Sequence, residues 1–171
     1  GGKRNLVLLD ASASMLDEML ANIIRLRNMP ADRKLRSPKW QQAVGTVDWI
    51  SAQLPAESQF QVYAFNTRAW PLIEGSEGRW LQAKDGEAMA GALKALRRTA
   101  PAEGTSLENA FAVIGSLSPA PDNVILITDG LPTQGASPPR MRTLVDSNDR
   151  ERLMQQAVRA LGRAPPPINV V

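Results

Sequence analysis

Asp10, Ser12 and Ser14 stand at alternate positions in the run Asp10-Ala11-Ser12-Ala13-Ser14. In an extended loop that spacing turns all three side chains to the same side. Two further candidates lie far along the chain: Thr105, in Glu103-Gly104-Thr105-Ser106, and Asp129, in Thr128-Asp129-Gly130. Carboxylates and hydroxyls are hard oxygen donors. A set of them suits the octahedral geometry of Mg²⁺, with Mn²⁺ or Ca²⁺ as alternatives. The sequence contains no His and no Cys. That excludes imidazole and thiolate metal sites, a disulfide scaffold and a His general base. A metal site here has to be built from oxygen.

Each candidate also has an ordinary reading. Ser14-x-x-Asp17 and Thr105-x-x-Glu108 both fit a helix capping box. Asp129-Gly130 fits a turn, and Ser12 an ordinary loop serine. A serine that caps a helix keeps a second lone pair, so capping and metal binding are compatible. Around these residues, Arg33, Lys34 and Arg36, with Arg140 and Arg142, can steer an acidic partner or be solvated loop charge. Asp17 and Glu18 fit the acidic first turn of a helix. Trp40 falls on an apolar stripe and is expected in the core, and packing is also the expectation for Trp49 and Trp70.

The elements that position these residues follow from the pattern of apolar positions. The chain has 171 residues, 43% of them hydrophobic and 22% charged, which suits one globular domain over 5–171, with 1–4 as a linker remnant. Leu6 to Leu9 and Val124 to Ile127 are unbroken apolar runs, the pattern of strands buried on both faces of a parallel sheet. They end at Asp10 and Asp129. Ligands in such sheets bind beyond the carboxyl ends of the strands, so both carboxylates are expected at one crevice. A strand is expected over Gln59 to Phe65, an antiparallel edge strand over Ala69 to Ile73, and a last strand from Ile168 to Val171. Helices are expected over Ser14 to Arg27, from Ser37-Pro38 as cap and first position to Leu54, over Asp85 to Arg98, over Thr105 to Leu117, and over Asp149 to Leu161 with Gly162 as C-cap. Pro30 to Pro38 and Leu131 to Asn148 read as loops. The fold class is therefore α/β: a doubly wound, mostly parallel sheet with one antiparallel edge strand and helices on both faces.

Composition narrows the partners. The net charge is +3 with the basic residues spread along the chain, which does not give the dense patch expected of a nucleic-acid partner. No apolar run approaches the roughly 18 residues of a spanning helix, so no membrane insertion by this chain is expected. No apolar signal segment follows Gly1-Gly2-Lys3-Arg4.

Asp10-Ala11-Ser12-Ala13-Ser14 matches the D-x-S-x-S signature of the von Willebrand factor A family. Gly104-Thr105-Ser106 resembles its threonine loop, and Ile127-Thr128-Asp129-Gly130 its second aspartate. The elements come in the family's order, from Asn5 to Val171. Ala13 stands where the family commonly has Gly. The resemblance implies a metal-ion-dependent adhesion site, with Ser12, Ser14 and Thr105 contacting the ion and Asp10 and Asp129 acting largely through water. It implies a protein partner whose Asp or Glu carboxylate completes the coordination. It also implies a sixth strand and a final helix that this sequence lacks, hence a truncated domain or one completed by a second chain. Domains of this family occur in secreted, membrane-tethered and cytosolic proteins alike; the absence of Cys and the excised look of the sequence favour a bacterial extracytoplasmic or membrane-tethered setting. Two other functions compete: an Mg²⁺-dependent phosphoryl-transfer hydrolase of haloacid dehalogenase type, and a scaffold with a vestigial site. The first normally has a second Asp two residues after the nucleophile, where this chain has Ser12. A serine hydrolase lacks both a His and a G-x-S-x-G elbow.

Overall fold

The computed structural model describes residues 3–137 and 145–171. Among these residues, six strands form one sheet: β1 (Arg4–Asp10), β2 (Gln59–Phe65), β3 (Ala69–Pro71), β4 (Leu81–Gln82), β5 (Asn123–Ile127) and β6 (Ile168–Val170). The order is β3-β2-β1-β5-β6. β1 lies parallel to β2 and to β5, and β5 parallel to β6. Both β3 and β4 run antiparallel to β2, with β3 facing Tyr63 to Phe65 and β4 facing Gln59 and Phe60. The two-residue strand β4 is an addition to the expected single edge strand. It is too short for an alternating pattern to show.

The helices are α1 (Leu20–Leu26), α2 (Ala31–Leu35), α3 (Pro38–Gln53), α4 (Gly86–Leu96), α5 (Leu107–Ser116) and α6 (Ser147–Ala160). Successive residues of β1 point to opposite faces of the sheet. Val7 and Leu9 pack with Trp40, Val44 and Val47 of α3 and with Ala92 and Leu96 of α4. Leu6 and Leu8 pack with Ala110, Phe111 and Ile114 of α5 and with Ala157 of α6. Both faces are thus covered, which is why β1 reads as an unbroken apolar run.

One expected helix is broken. Ser14 to Arg27 divides into a 3-10 turn over Ala13–Leu16 and the separate helix α1, with Asp17 extended between them. The cause lies in hydrogen bonds. The Asp17 carboxylate accepts from the Met19 N–H at 2.8 Å and from Asn22 Nδ2 at 3.1 Å. Lys39 Nζ takes the Ser14 and Asp17 carbonyls at 3.1 and 3.3 Å, acceptors that a continuous helix would use itself. The supposed stripe is split as well: Leu16 is buried, whereas Leu20 and Ile24 are exposed. The loop from Pro30 to Pro38 contains α2. Ser37 precedes α3 without capping it; its hydroxyl donates to the Leu16 carbonyl. α6 begins at Ser147, earlier than Asp149, because the Asp146 carboxylate accepts from the Asp149 N–H at 2.8 Å.

At the far end of the sheet from the candidate site, Asp122 ties the start of β5 to the start of β1. It accepts from the Lys3 and Arg4 N–H groups at 3.0 Å each and pairs with Arg4 Nη2 at 2.8 Å. The Arg4 guanidinium holds the Asp122 carboxyl below its ordinary value of 3.8. A carboxylate with a depressed folded value contributes stability above 3.8, and that contribution disappears as pH falls through the folded value. Asp122→Asn should therefore lower the melting temperature at pH 7. The gap to the parent should close in acid, as melting curves across pH 2 to 7 will show.

Candidate metal centre

Asp10 is the last residue of β1, and Asp129 follows the end of β5 by two residues. The two strands are adjacent and parallel, with Leu9 opposite Ile127, so both carboxylates reach one edge of the sheet. Asp10 is wholly buried. Its Oδ1 accepts from the Ser12 N–H at 2.9 Å and its Oδ2 from the Thr128 hydroxyl at 2.7 Å. The Ser14 hydroxyl donates to Asp129 Oδ1 at 2.9 Å. The Ser12 and Ser14 hydroxyls are 2.9 Å apart. An unbroken chain of polar contacts therefore runs from Ser12 through Ser14 to Asp129, beside Asp10.

Thr105 lies in the loop before α5. Its loop is stitched to the Asp10–Ser14 segment by the Ala13 N–H donating to the Glu103 carbonyl at 3.0 Å and the Ala102 N–H donating to the Ala11 carbonyl at 2.9 Å. Thr133 fixes Thr105 itself: its hydroxyl accepts from the Thr105 N–H at 2.8 Å, and its N–H donates to the Thr105 carbonyl at 2.9 Å. That approach needs glycine next door. A Cβ at Gly104 would lie 2.6 Å from the Thr133 hydroxyl.

The two capping readings resolve differently from expectation. Ser14 caps nothing; its hydroxyl belongs to the Asp129 contact. The cap of α5 is Ser106, whose hydroxyl accepts from the Asn109 N–H at 3.2 Å and donates to the Gly135 carbonyl at 2.9 Å. Glu108 turns instead to the Ala136 N–H at 2.8 Å. Thr105 is 4% exposed, and its hydroxyl makes no hydrogen bond among the described residues. Ser106→Ala should thus destabilise the metal-free protein by about 1 kcal/mol or more, the usual loss for a cap. Thr105→Val should change it by less than about 0.5 kcal/mol, because no hydrogen bond is lost. Urea unfolding of both variants in EDTA checks the contrast.

Electrostatically the site is mixed. Burial pushes the Asp10 carboxyl up, opposed by hydrogen bonds from Ser12 and Thr128 and reinforced by the nearby Asp129 charge. Sequence reasoning missed one participant. Lys39, at the second position of α3, reaches Asp129 Oδ2 with its ammonium, and lies 3.4 Å from Glu18 Oε2. The Lys39 side chain is 15% exposed and that of Asp129 18%. The one sequence signal was position: Lys39 directly precedes Trp40, which is completely buried. A lysine in the first turn of a helix anchored by its neighbour has little choice of direction.

The donor set fits a hard divalent ion. It consists of the Asp10 and Asp129 carboxylates and the Ser12 and Ser14 hydroxyls, with the Thr105 hydroxyl, on a loop bonded to the same segment, unbonded among the described residues. Among the described residues, no group of three or more Asp, Glu, His or Cys side chains gathers. Asp17 serves the local turn, as described, and Glu18 sits at the rim on Lys39. Of the basic rim, Arg33 and Arg36 are exposed on and after α2, with Arg36 3.5 Å from Asp32, while Lys34 is half-buried. Arg140 and Arg142 lie outside the described residues. Trp49 is 66% exposed, against the expectation of packing, because it lies off the buried stripe of α3. Trp70 is half-buried, with the Arg68 guanidinium 5.4 Å from its ring centre.

No protein-family model matches the sequence, and no curated protein matches it significantly. Solved structures do. A von Willebrand factor type A protein from Catenulispora acidiphila is 20% identical with a TM-score of 0.62, covering 98% of this chain and 32% of that one. The PilB minor pilin from Streptococcus sanguinis is 13% identical with a TM-score of 0.62, covering 99% of this chain and 50% of that one. Proximal thread matrix protein 1 from the mussel byssus, solved with a zinc-occupied MIDAS motif, is 16% identical with a TM-score of 0.50, covering 98% and 36%. The chain thus spans a third to a half of the length of these proteins. The fold is that of von Willebrand factor type A domains.

Proposed function

We propose that this von Willebrand factor A fold is a metal-ion-dependent protein-interaction module that captures a partner's carboxylate. Ser12, Ser14, Thr105, Asp10 and Asp129 would hold the divalent cation, with Mg²⁺ the favoured ion and Mn²⁺ or Ca²⁺ as alternatives. The observation that supports this reading is the set of contacts joining Ser12, Ser14 and Asp129 beside Asp10 at the ends of β1 and β5, with the loop of Thr105 hydrogen-bonded to the same segment. A bound divalent ion supplies a Lewis acid for an anionic ligand. The residues of this chain set how strong that acid is. Neutral hydroxyls donate electron density without cancelling charge. Asp10 shares its own charge with the Ser12 N–H and the Thr128 hydroxyl. The ion would therefore keep an appetite for a partner carboxylate. The zinc-occupied MIDAS of the mussel byssus protein and the pilin identity of PilB support an interaction role of this kind.

The reading is non-enzymatic. Ser12 stands where a haloacid dehalogenase would carry its second carboxylate, and its hydroxyl is engaged with Ser14. The setting we infer is an extracytoplasmic or membrane-tethered parent protein. Among the described residues no helix is long and apolar enough to cross a membrane. Calorimetric titration with Mg²⁺, Mn²⁺ and Ca²⁺ tests the reading. The parent should bind with one-to-one stoichiometry, and Thr105→Val and Ser14→Ala should weaken binding at least about tenfold while remaining folded in EDTA. Unchanged affinity in both variants would refute the assignment.

A further inference from the structure

We infer that Lys39 is a built-in cation that weakens metal loading and strengthens carboxylate capture at the same site. The inference rests on the metal-dependent reading above. The ammonium is held by four oxygens: Asp129 Oδ2, the Ser14 and Asp17 carbonyls at 3.1 and 3.3 Å, and Glu18 Oε2 at 3.4 Å. It approaches Asp129 by Oδ2, whereas the Ser14 hydroxyl holds Oδ1. Lys39 therefore does not displace the donor chain that runs through Ser12 and Ser14. It flanks that chain and fixes the far oxygen of Asp129.

The consequence is a matter of charge. Asp10, Asp129 and Lys39 together carry one formal negative charge. Without the ammonium they would carry two. A divalent ion entering the site is attracted less in the presence of Lys39, so loading is weaker. Once loaded, the same three groups and the ion carry one net positive charge, whereas without Lys39 they would be neutral. An anionic ligand is attracted more in the first case. Glu18 is 82% exposed, so water screens most of its opposing effect. Lys39 is 15% exposed and screened far less. The two effects have opposite signs, which no purely structural role for Lys39 would produce: a lysine needed only for packing would weaken both steps when replaced.

The test uses the whole chain as parent, Lys39→Gln and Lys39→Arg, with Mg²⁺ as the metal and sodium acetate as the carboxylate. Calorimetry gives the Mg²⁺ affinity. Acetate is then titrated into Mg²⁺-saturated protein while the amide shifts of Ser14 and Thr105 are followed by NMR. Lys39→Gln should bind Mg²⁺ about tenfold tighter, the change produced by removing a like-charge interaction of about 1.4 kcal/mol, and acetate at least about threefold more weakly. Lys39→Arg should stay near the parent in both. Mg²⁺ binding by Lys39→Gln alone would be the same result in extreme form. Loss of both affinities in Lys39→Gln, or no change in either, overturns the inference while leaving the metal reading standing. Failure of every protein to bind Mg²⁺, Mn²⁺ or Ca²⁺ overturns the metal reading and this inference with it. Should Lys39→Gln not fold, the parent decides: the Lys39 ammonium protons should stay protected from exchange in EDTA and after Mg²⁺ loading. Their release on loading would overturn the inference.

Discussion

Trp40→Ala should destabilise the metal-free protein by about 3–5 kcal/mol, the range for emptying an aromatic site in a core. Trp40 is wholly buried in the first turn of α3, against Val7 and Leu9 of β1 and Phe60, Val62 and Ala64 of β2. The site lies between a sheet and a helix, neither of which can collapse into the space left behind. The loss is one of packing, because the buried indole Nε1 has no hydrogen-bond partner among the described residues. Trp40→Phe should consequently cost much less: it keeps an aromatic ring in place and removes an unsatisfied donor. Trp49→Ala is the internal control. It lies on the same helix but is 66% exposed, and a change within about 0.5 kcal/mol is expected. Urea unfolding of the three variants in EDTA measures all of this on one scale.

Metal linkage should give the second large effect. A ligand that binds only the folded state stabilises it by about 2.7 kcal/mol at a hundred times its dissociation constant. Mg²⁺ at that concentration should therefore raise the unfolding free energy of the parent by about that amount, and EDTA should reverse it. Asp10→Ala and Asp129→Ala should show no Mg²⁺-dependent rise. The pH dependence has a definite sign. Burial raises the folded value of Asp10 above 3.8, so the folded state holds the proton more tightly than the unfolded chain. The contribution of Asp10 to the stability of the metal-free fold accordingly falls as pH rises from 3.8 through the raised value. Metal binding needs the carboxylate, so the Mg²⁺-dependent increment should grow over that same window. Melting curves with Mg²⁺ and with EDTA, taken from pH 3 to 7, separate the two trends.

The central sheet was legible because its signal is local. Leu6 to Leu9 and Val124 to Ile127 are apolar at every position, as burial on two faces demands. The aspartates at their ends followed from the parallel arrangement alone. The break after Leu16 was not legible, because it depends on an ammonium arriving from α3, a contact between residues 25 positions apart. Thr105 and Ser106 illustrate a different limit. Both are hydroxyl residues in front of α5, and propensity cannot tell which one turns its oxygen to the Asn109 N–H. Thr133 decides it by pinning the Thr105 backbone from 28 residues away. Lys39 was invisible for the same reason as the helix break: a search for residues beside the two aspartates in sequence passes over a cation that adjoins them only in space.

β1 is paired along both edges, to β2 from Arg4 to Asp10 and to β5 from Asn5 to Leu9, and is covered on both faces. Its amides can exchange with solvent only when neighbouring strands come away with it, so it belongs to the most slowly opening part of the molecule. Asp10, at its end, is mounted on that slow region. Asp129 is different: it lies beyond the end of β5, held through side-chain contacts with Ser14 and Lys39. One pole of the site is set by the sheet and the other by side-chain contacts. Any change of geometry between empty, loaded and partner-bound forms would then be taken up at Asp129 and its contacts, with Asp10 as the fixed reference against which the rest of the site moves.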